Sequence, residues 1–200
     1  MNTQWRGAGG FTLIEVLVAL VLLAAAALGA GATVLAAHRA GQQSSLMSAA
    51  VHLAARVADS MRANRAVAGA ADAANPYLQL DYDALADGVP AIAANDCSAA
   101  ACDGAALAEA DLAGLRQNVF EHYPLGRIKI CRDGASWDAA ASIMRWDCDG
   151  AGGAPVVVKL GWRERTAMGG DSNGAAAGGA AVMVALPLVV AGQAAGAGAP

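Results

Sequence analysis

The sequence predicts an α+β fold, a long N-terminal helix packed on a small antiparallel β-sheet. Three observations carry this. Residues 16–37 contain no charged side chain. Beyond them Leu46, Ala50, Leu53, Val57 and Met61 recur at steps of 4, 3, 4 and 4, which lays one apolar stripe along a helix. Further on, Arg127 to Arg132 alternates around Ile128 and Ile130, and Val156 to Arg163 and Ala181 to Val190 read as two more strands. Three strands is a minimum count.

The apolar run is roughly 33 Å long as a helix, enough to cross a hydrocarbon core of about 30 Å. Its placement matters more than its hydrophobicity. A secretory signal is cut after its apolar stretch and discarded, whereas here a short polar leader, Met1 to Gly10, comes first. Cutting at Gly10-Phe11 would leave the apolar helix on the mature chain. Arg6 and the initiating amine precede the helix, and no basic residue follows it until Arg39. That bias puts the leader in the cytoplasm and the rest outside, so all four cysteines would lie in an oxidising compartment. Hydrophobic content of 56% is inflated by Ala and Gly, since aromatics are only 4%. A net charge of −4, with no basic cluster beyond Arg56, Arg62 and Arg65, implies no nucleic-acid partner. Those three arginines end a predicted helix, where cations complement its dipole.

In chain order, residues 1–10 read as leader and 11–66 as a stalk helix from about Thr12 to Ala66, of which 11–37 spans the membrane. Residues 67–190 form the head domain and 191–200 a flexible tail. Gly29 and Gly31 interrupt the membrane half at a cost of about 1 kcal/mol each; close helix packing and local unwinding both remain open. In the second half of the stalk Ser45, Ser48, His52, Arg56, Asp59 and Arg62 fall on the faces away from the apolar stripe, and His38 and His52 are expected to be solvated. Asn75-Pro76 ends any helix, and Asp81 to Asp96 is loop-like. Residues 105–121 make a second helix with Leu107, Leu112, Leu115, Val119 and Phe120 as its apolar set, stopped by Pro124 and Gly126. The stretch 169–180 reads as a flexible hairpin loop.

Four cysteines allow three pairings. Local pairing, Cys97-Cys102 and Cys131-Cys148, is the expected one, and closing the larger ring is worth about 3 kcal/mol. A zinc site from the same thiols competes, but the spacing lacks a C-x2-C knuckle. Asp147-Cys148-Asp149-Gly150 starts like a calcium loop, yet no acidic residue follows at the required distance, so a turn before the Val156 strand is expected. Trp137, Trp146 and Trp162 suit core or disulfide packing better than a binding surface. No nucleophile motif, phosphate loop or metal-ligand helix is present. No catalytic, metal-binding or cofactor-binding residue is assigned, and no enzyme activity is expected.

The run Gly10-Phe11-Thr12-Leu13-Ile14-Glu15-Val16-Leu17-Val18-Ala19-Leu20 resembles the prepilin signature of the type IV pilin superfamily, which includes type II secretion pseudopilins. The resemblance implies a pilin-like fold. It implies that a prepilin peptidase cuts after Gly10 and methylates Phe11, and that Glu15 serves assembly inside the filament core. A carboxylate inside a bilayer costs roughly 3 kcal/mol, so a plain interfacial role for Glu15 is the competing reading. Met61 to Arg65, Ala110-Asp111-Leu112, Leu125-Gly126-Arg127, Cys131-Arg132-Asp133, Cys148-Asp149-Gly150 and the strand Val156 to Glu164 follow in order. That order resembles PilV-type minor pilins, the type IV pilus modification proteins. Leu115 stands where many relatives carry tryptophan, and residues 169–200 are inflated by Gly and Ala. The resemblance implies an inner-membrane protein with a periplasmic head that later joins the pilus fibre. Its partners would be the prepilin peptidase, other minor pilins and the major pilin. A minor pseudopilin and a membrane-anchored periplasmic binding module or adhesin are the alternatives.

Overall fold

A computed structural model describes residues 10–93, 97, 101–150, 152–163 and 180–188. The expectations for residues 1–9, including Arg6, for the loop 169–179, for Glu164 and Val189-Val190 at strand ends and for the tail 191–200 lie outside the described residues. The chain divides into two compact units whose boundary, Ser45/Leu46, falls inside the first helix.

Helix α1 runs Leu13–Ala63. In the first unit it is exposed except at the half-buried Gln43, and it stays α-helical through Gly29 and Gly31.

In the second unit, α1 buries Ala50, Leu53, Ala54, Val57, Ala58 and Met61; the predicted stripe is present, widened by two alanines. The helix stops at Asn64, earlier than Ala66. Asn64 Nδ2 donates to the Gly104 carbonyl at 2.6 Å, and a short helix α2, Arg65–Ala68, follows. Two 3-10 turns, Asp72–Ala74 and Pro76–Gln79, come next. The Asn75 side chain accepts from Tyr77 N–H and donates to the Ala68 carbonyl, so the Asn-Pro pair ends one segment and caps another.

Asp81–Asp83 is a strand, β1, not the loop expected there. Its signal is non-local. Asp81 faces Lys129 and Asp83 faces Arg127 across the ladder, and Asp81 takes a forked bond from Arg127 at 3.0–3.1 Å and a second cation, Lys129, at 2.9 Å. Opposite-charge pairing of this kind stabilises a short strand that its own composition does not favour.

Helix α3, Gly104–His122, is capped by Asp103, which accepts from Ala106 N–H at 2.8 Å. It buries Ala108, Leu112, Ala113, Leu115 and Val119, whereas Phe120 of the expected set is exposed, one helical step past the buried face. The turn Pro124-Leu125-Gly126 puts Leu125 at φ +47°, and a Cβ on Gly126 would sit 2.8 Å from both Tyr123 Cβ and Val119 Cγ1.

Strands β2 (Arg127–Arg132), β5 (Val156–Trp162) and β6 (Ala181–Leu188) complete an all-antiparallel sheet of order β1-β2-β5-β6. A hairpin of β3 (Trp137–Asp138) and β4 (Ile143–Met144) is separate. Every residue of β5 is buried, so both faces of the sheet are covered. Val156, Val158, Leu160 and Trp162 join the α1/α3 core. By the two-residue period of a strand, Val157, Lys159 and Gly161 face the other way, where the chain between Cys131 and Gly150 forms an outer layer.

Gly161 is where that layer touches the sheet most closely. A Cβ there would collide with the Ala181 carbonyl and lie 2.9 Å from Trp146 Cζ2, beside a register shift between β5 and β6. Gly161→Ala should lower stability by about 2–3 kcal/mol, read by urea denaturation; a change below about 0.5 kcal/mol would show that the strands separate freely at this point.

Candidate functional site

The N-terminal segment is built by a cap and a bare helix. Thr12 precedes the first helical residue, and its Oγ1 and carbonyl both accept from Glu15 N–H, at 3.3 and 3.1 Å. With Glu15 at the third helical position, Thr-x-x-Glu is the capping-box pattern. Glu15 therefore also favours the start of the helix as an acidic residue near the positive end of the dipole. Sequence reasoning missed Thr12, although the four-residue pattern was readable. Gly10 is exposed and a Cβ on it would meet no atom within 4 Å, so nothing in the fold demands glycine there. Phe11 is 83% exposed. From Leu13 to Leu35 the large apolar side chains lie uncovered, and the helix is long and apolar enough to cross a membrane. Such a surface calls for lipid or other helices.

The head holds a second concentration of chemistry, which sequence reasoning missed. Lys159 and Asp133 form an ion pair at 2.6 Å with both side chains fully buried. The ammonium also donates to the carbonyls of Arg145 (2.8 Å) and Asp147 (2.6 Å), using all three of its protons. Asp133 accepts further from Ser136 Oγ and from the Ala135 and Asp149 N–H groups. Burial by itself would raise the Asp133 pKa; the bonds from Lys159, Ser136 and Ala135 outweigh it and hold the carboxyl at about 2. A lysine inside Val-Val-Val-Lys-Leu-Gly-Trp was the readable signal, because a lone charge in a buried strand needs a partner.

The cysteines are joined as Cys97–Cys102 and Cys131–Cys148. The second bridge closes the outer layer around the Lys159 knot. Trp146 lies under the Arg127 guanidinium at 4.6 Å and donates from Nε1 to the Ala180 carbonyl at 2.8 Å. Trp162 is in the core, 5.4 Å from the Tyr123 ring, whereas Trp137 is 55% exposed and does not pack as expected. Asp149 accepts from Gly134 N–H at 3.0 Å and Gly150 N–H donates to the Arg132 carbonyl. Asp147 to Gly150 is therefore irregular chain tied to a distant segment, and the turn before the Val156 strand lies at Gly152-Gly153. His38 and His52 are exposed.

Tyr77 is buried and donates from its hydroxyl to Asp111 at 3.1 Å. Its pKa is pushed up to about 12, first by burial, with the Asn64 bond opposing and the Asp111 charge adding. The phenol thus stays neutral and structural. A hollow of about 570 Å³ beside α3 is lined by Ile92, Leu112, Ala113, Gln79, Glu109 and Arg116 among others. It gathers no nucleophile with a base, and among the described residues no cluster of three or more His, Cys, Asp or Glu could hold a metal ion.

Residues 5–31 match the model of the prokaryotic N-terminal methylation motif. No curated protein and no solved structure matches the chain. The motif spans Gly10, Phe11, Thr12 and Glu15 and most of the bare helix. Signal, helix and small antiparallel sheet together make the chain similar to type IV pilins and pseudopilins, which are structural proteins.

Proposed function

We propose that this protein is a minor pilin, built into a type IV pilus at or near its tip, where it primes or modifies assembly. The observation that carries the reading is the methylation motif at residues 5–31 running directly into an uncovered apolar helix. In this reading prepilin peptidase removes residues 1–10 at the Gly10-Phe11 junction, and residues 11–37 hold the subunit in the inner membrane. The stalk 11–66 then enters the fibre, with Glu15 as its assembly residue, and the head 67–190 stays in the periplasm until the fibre leaves the cell. The remaining residues, 191–200, are a tail. Two bridged cysteine pairs suit a head that works outside the cytoplasm. The order of short motifs through the head favours a PilV-type subunit over a type II secretion pseudopilin.

The test is the mature protein itself. Mass spectrometry of the membrane-extracted chain should find an N-terminus at Phe11 carrying one extra methyl group; an intact Met1 terminus would sink the reading. Deleting the gene should abolish twitching motility, whereas lost enzyme secretion would assign the chain to a secretion system. Exchanging residues 11–37 for an unrelated spanning helix should abolish function, and full function after the exchange would favour an anchored binding module.

A further inference from the structure

The β3–β4 hairpin is held firmly at its base and left bare at its end. It lies inside the Cys131–Cys148 ring, directly after the buried Asp133–Lys159 pair. Arg145 clamps it, donating from Nη2 to the Ala135 carbonyl at 2.6 Å and from its backbone N–H to the Ser136 carbonyl at 2.9 Å. At the tip, Asp138 accepts from the N–H groups of Ala140 and Ala141. Yet Trp137 is 55% and Ile143 41% exposed. Trp137 pairs with Met144, and Ile143 with Asp138, so the two apolar side chains stand on opposite faces of the ribbon.

We propose that this hairpin is a docking knob that seats Trp137 in an uncharged apolar pocket on the head of a neighbouring subunit of the same assembly. The occupant follows from area and charge. Two large side chains and an alanine tip offer roughly 300 Å² on this side, about half of the roughly 600 Å² per partner that the smallest specific interfaces bury. The hairpin therefore adds to an encounter that another surface has already made, and the bare helix from Leu13 to Leu35 supplies that surface. This step rests on the assembly reading above. Asp138 Oδ1 is taken up by its own turn, and the rest of the tip, Ala139-Ala140-Ala141-Ser142, carries no further charge. With the Asp138 carboxylate folded toward its own turn and no cation on the tip, an uncharged apolar pocket suits the bare indole better than an ionic site. A rigid aromatic on a preorganised support is the usual form of an interface anchor.

The test places a photo-crosslinking benzoylphenylalanine at position 137 of the full-length chain in its native host, with the same probe at exposed Glu121 as the control. Irradiation should give an adduct with a second subunit carrying an N-terminal methylation motif, mapped to that subunit's head and absent from the control. Trp137→Ala should keep Tm within about 2 °C but lower surface filaments about tenfold, and Trp137→Phe should restore most of them. With filaments forming normally, a silent probe, an adduct confined to the protein's own chain, or an unchanged filament count in Trp137→Ala each overturns the knob alone. If the unmodified protein never enters a filament, the assembly reading fails and the knob fails with it.

Discussion

Lys159→Met is expected to cost about 3–5 kcal/mol and to loosen the outer layer of the head before the core. The size follows from what is left behind. Removing the ammonium strands the Asp133 carboxylate at a fully buried position, and an uncompensated buried charge is among the most destabilising changes a fold can suffer. It also strands the carbonyls of Arg145 and Asp147, which Lys159 draws inward from the Cys131–Cys148 ring. The disulfide keeps the ring closed but not seated, so proteolysis between residues 133 and 147 should accelerate before global unfolding does. Converting both partners, Lys159→Met with Asp133→Leu, should recover much of the loss, because two apolar side chains strand nothing. Denaturation of the full chain in detergent reads both variants, and a cost below about 1 kcal/mol for the single change would mean that water already reaches the pair.

The same pair sets an acid limit. Its folded pKa of about 2 lies below the usual 3.8, so the folded state binds its proton later than the unfolded chain. The stabilisation is fully present above about pH 4 and is lost as pH falls through 2, amounting to about 2 kcal/mol. Stability that stayed flat down to pH 2 in Asp133→Asn but fell in the parent would assign the limit to this carboxylate.

The parts of the fold that were legible in the sequence are those whose signal is periodic and local. The stripe Leu46 to Met61, the helix over 105–121 and the strand Arg127 to Arg132 each bury one face at a fixed step, and each stands within a few residues of its expected bounds. What was hidden depends on residues far apart in the chain. Strand β1 exists because Arg127 and Lys129, more than forty residues later, meet Asp81. The exposure of Trp137 depends on a hairpin whose strands are two residues each, too short to leave a periodic trace. The Asp133–Lys159 pairing was hidden because its members lie far apart in the chain, although a lysine within the apolar run Val156 to Trp162 already called for some partner. At the N-terminus the processing signal was legible as a string, while the cap from Thr12 needed only a four-residue pattern and was passed over in favour of the Glu15 charge.

Glu15 thus combines its place in the helix cap with the proposed assembly role, which a single substitution confounds, and a graded series separates the two. Glu15→Gln keeps a side chain able to complete the capping box with Thr12 but removes the charge; Glu15→Asp keeps the charge but shortens its reach; Glu15→Ala removes both. If the carboxylate neutralises the new Phe11 amine of an adjoining subunit in a low-dielectric filament core, charge is what matters. Gln and Ala should then both reduce surface filaments roughly tenfold or more, while Asp retains part of the parent level. If Glu15 only starts the helix, Gln should behave like the parent, and Ala should lose at most about 1 kcal/mol of local helix stability with filaments intact. All three chains should still be cut, because the junction lies five residues upstream. Gly10→Val gives the complementary result: with open space around Gly10 it should leave the fold untouched and yield an uncut precursor on a gel. Any demand for glycine there belongs to the enzyme that cuts, so normal processing of Gly10→Val would remove the ground for reading this segment as a prepilin signal, whatever the Glu15 series shows.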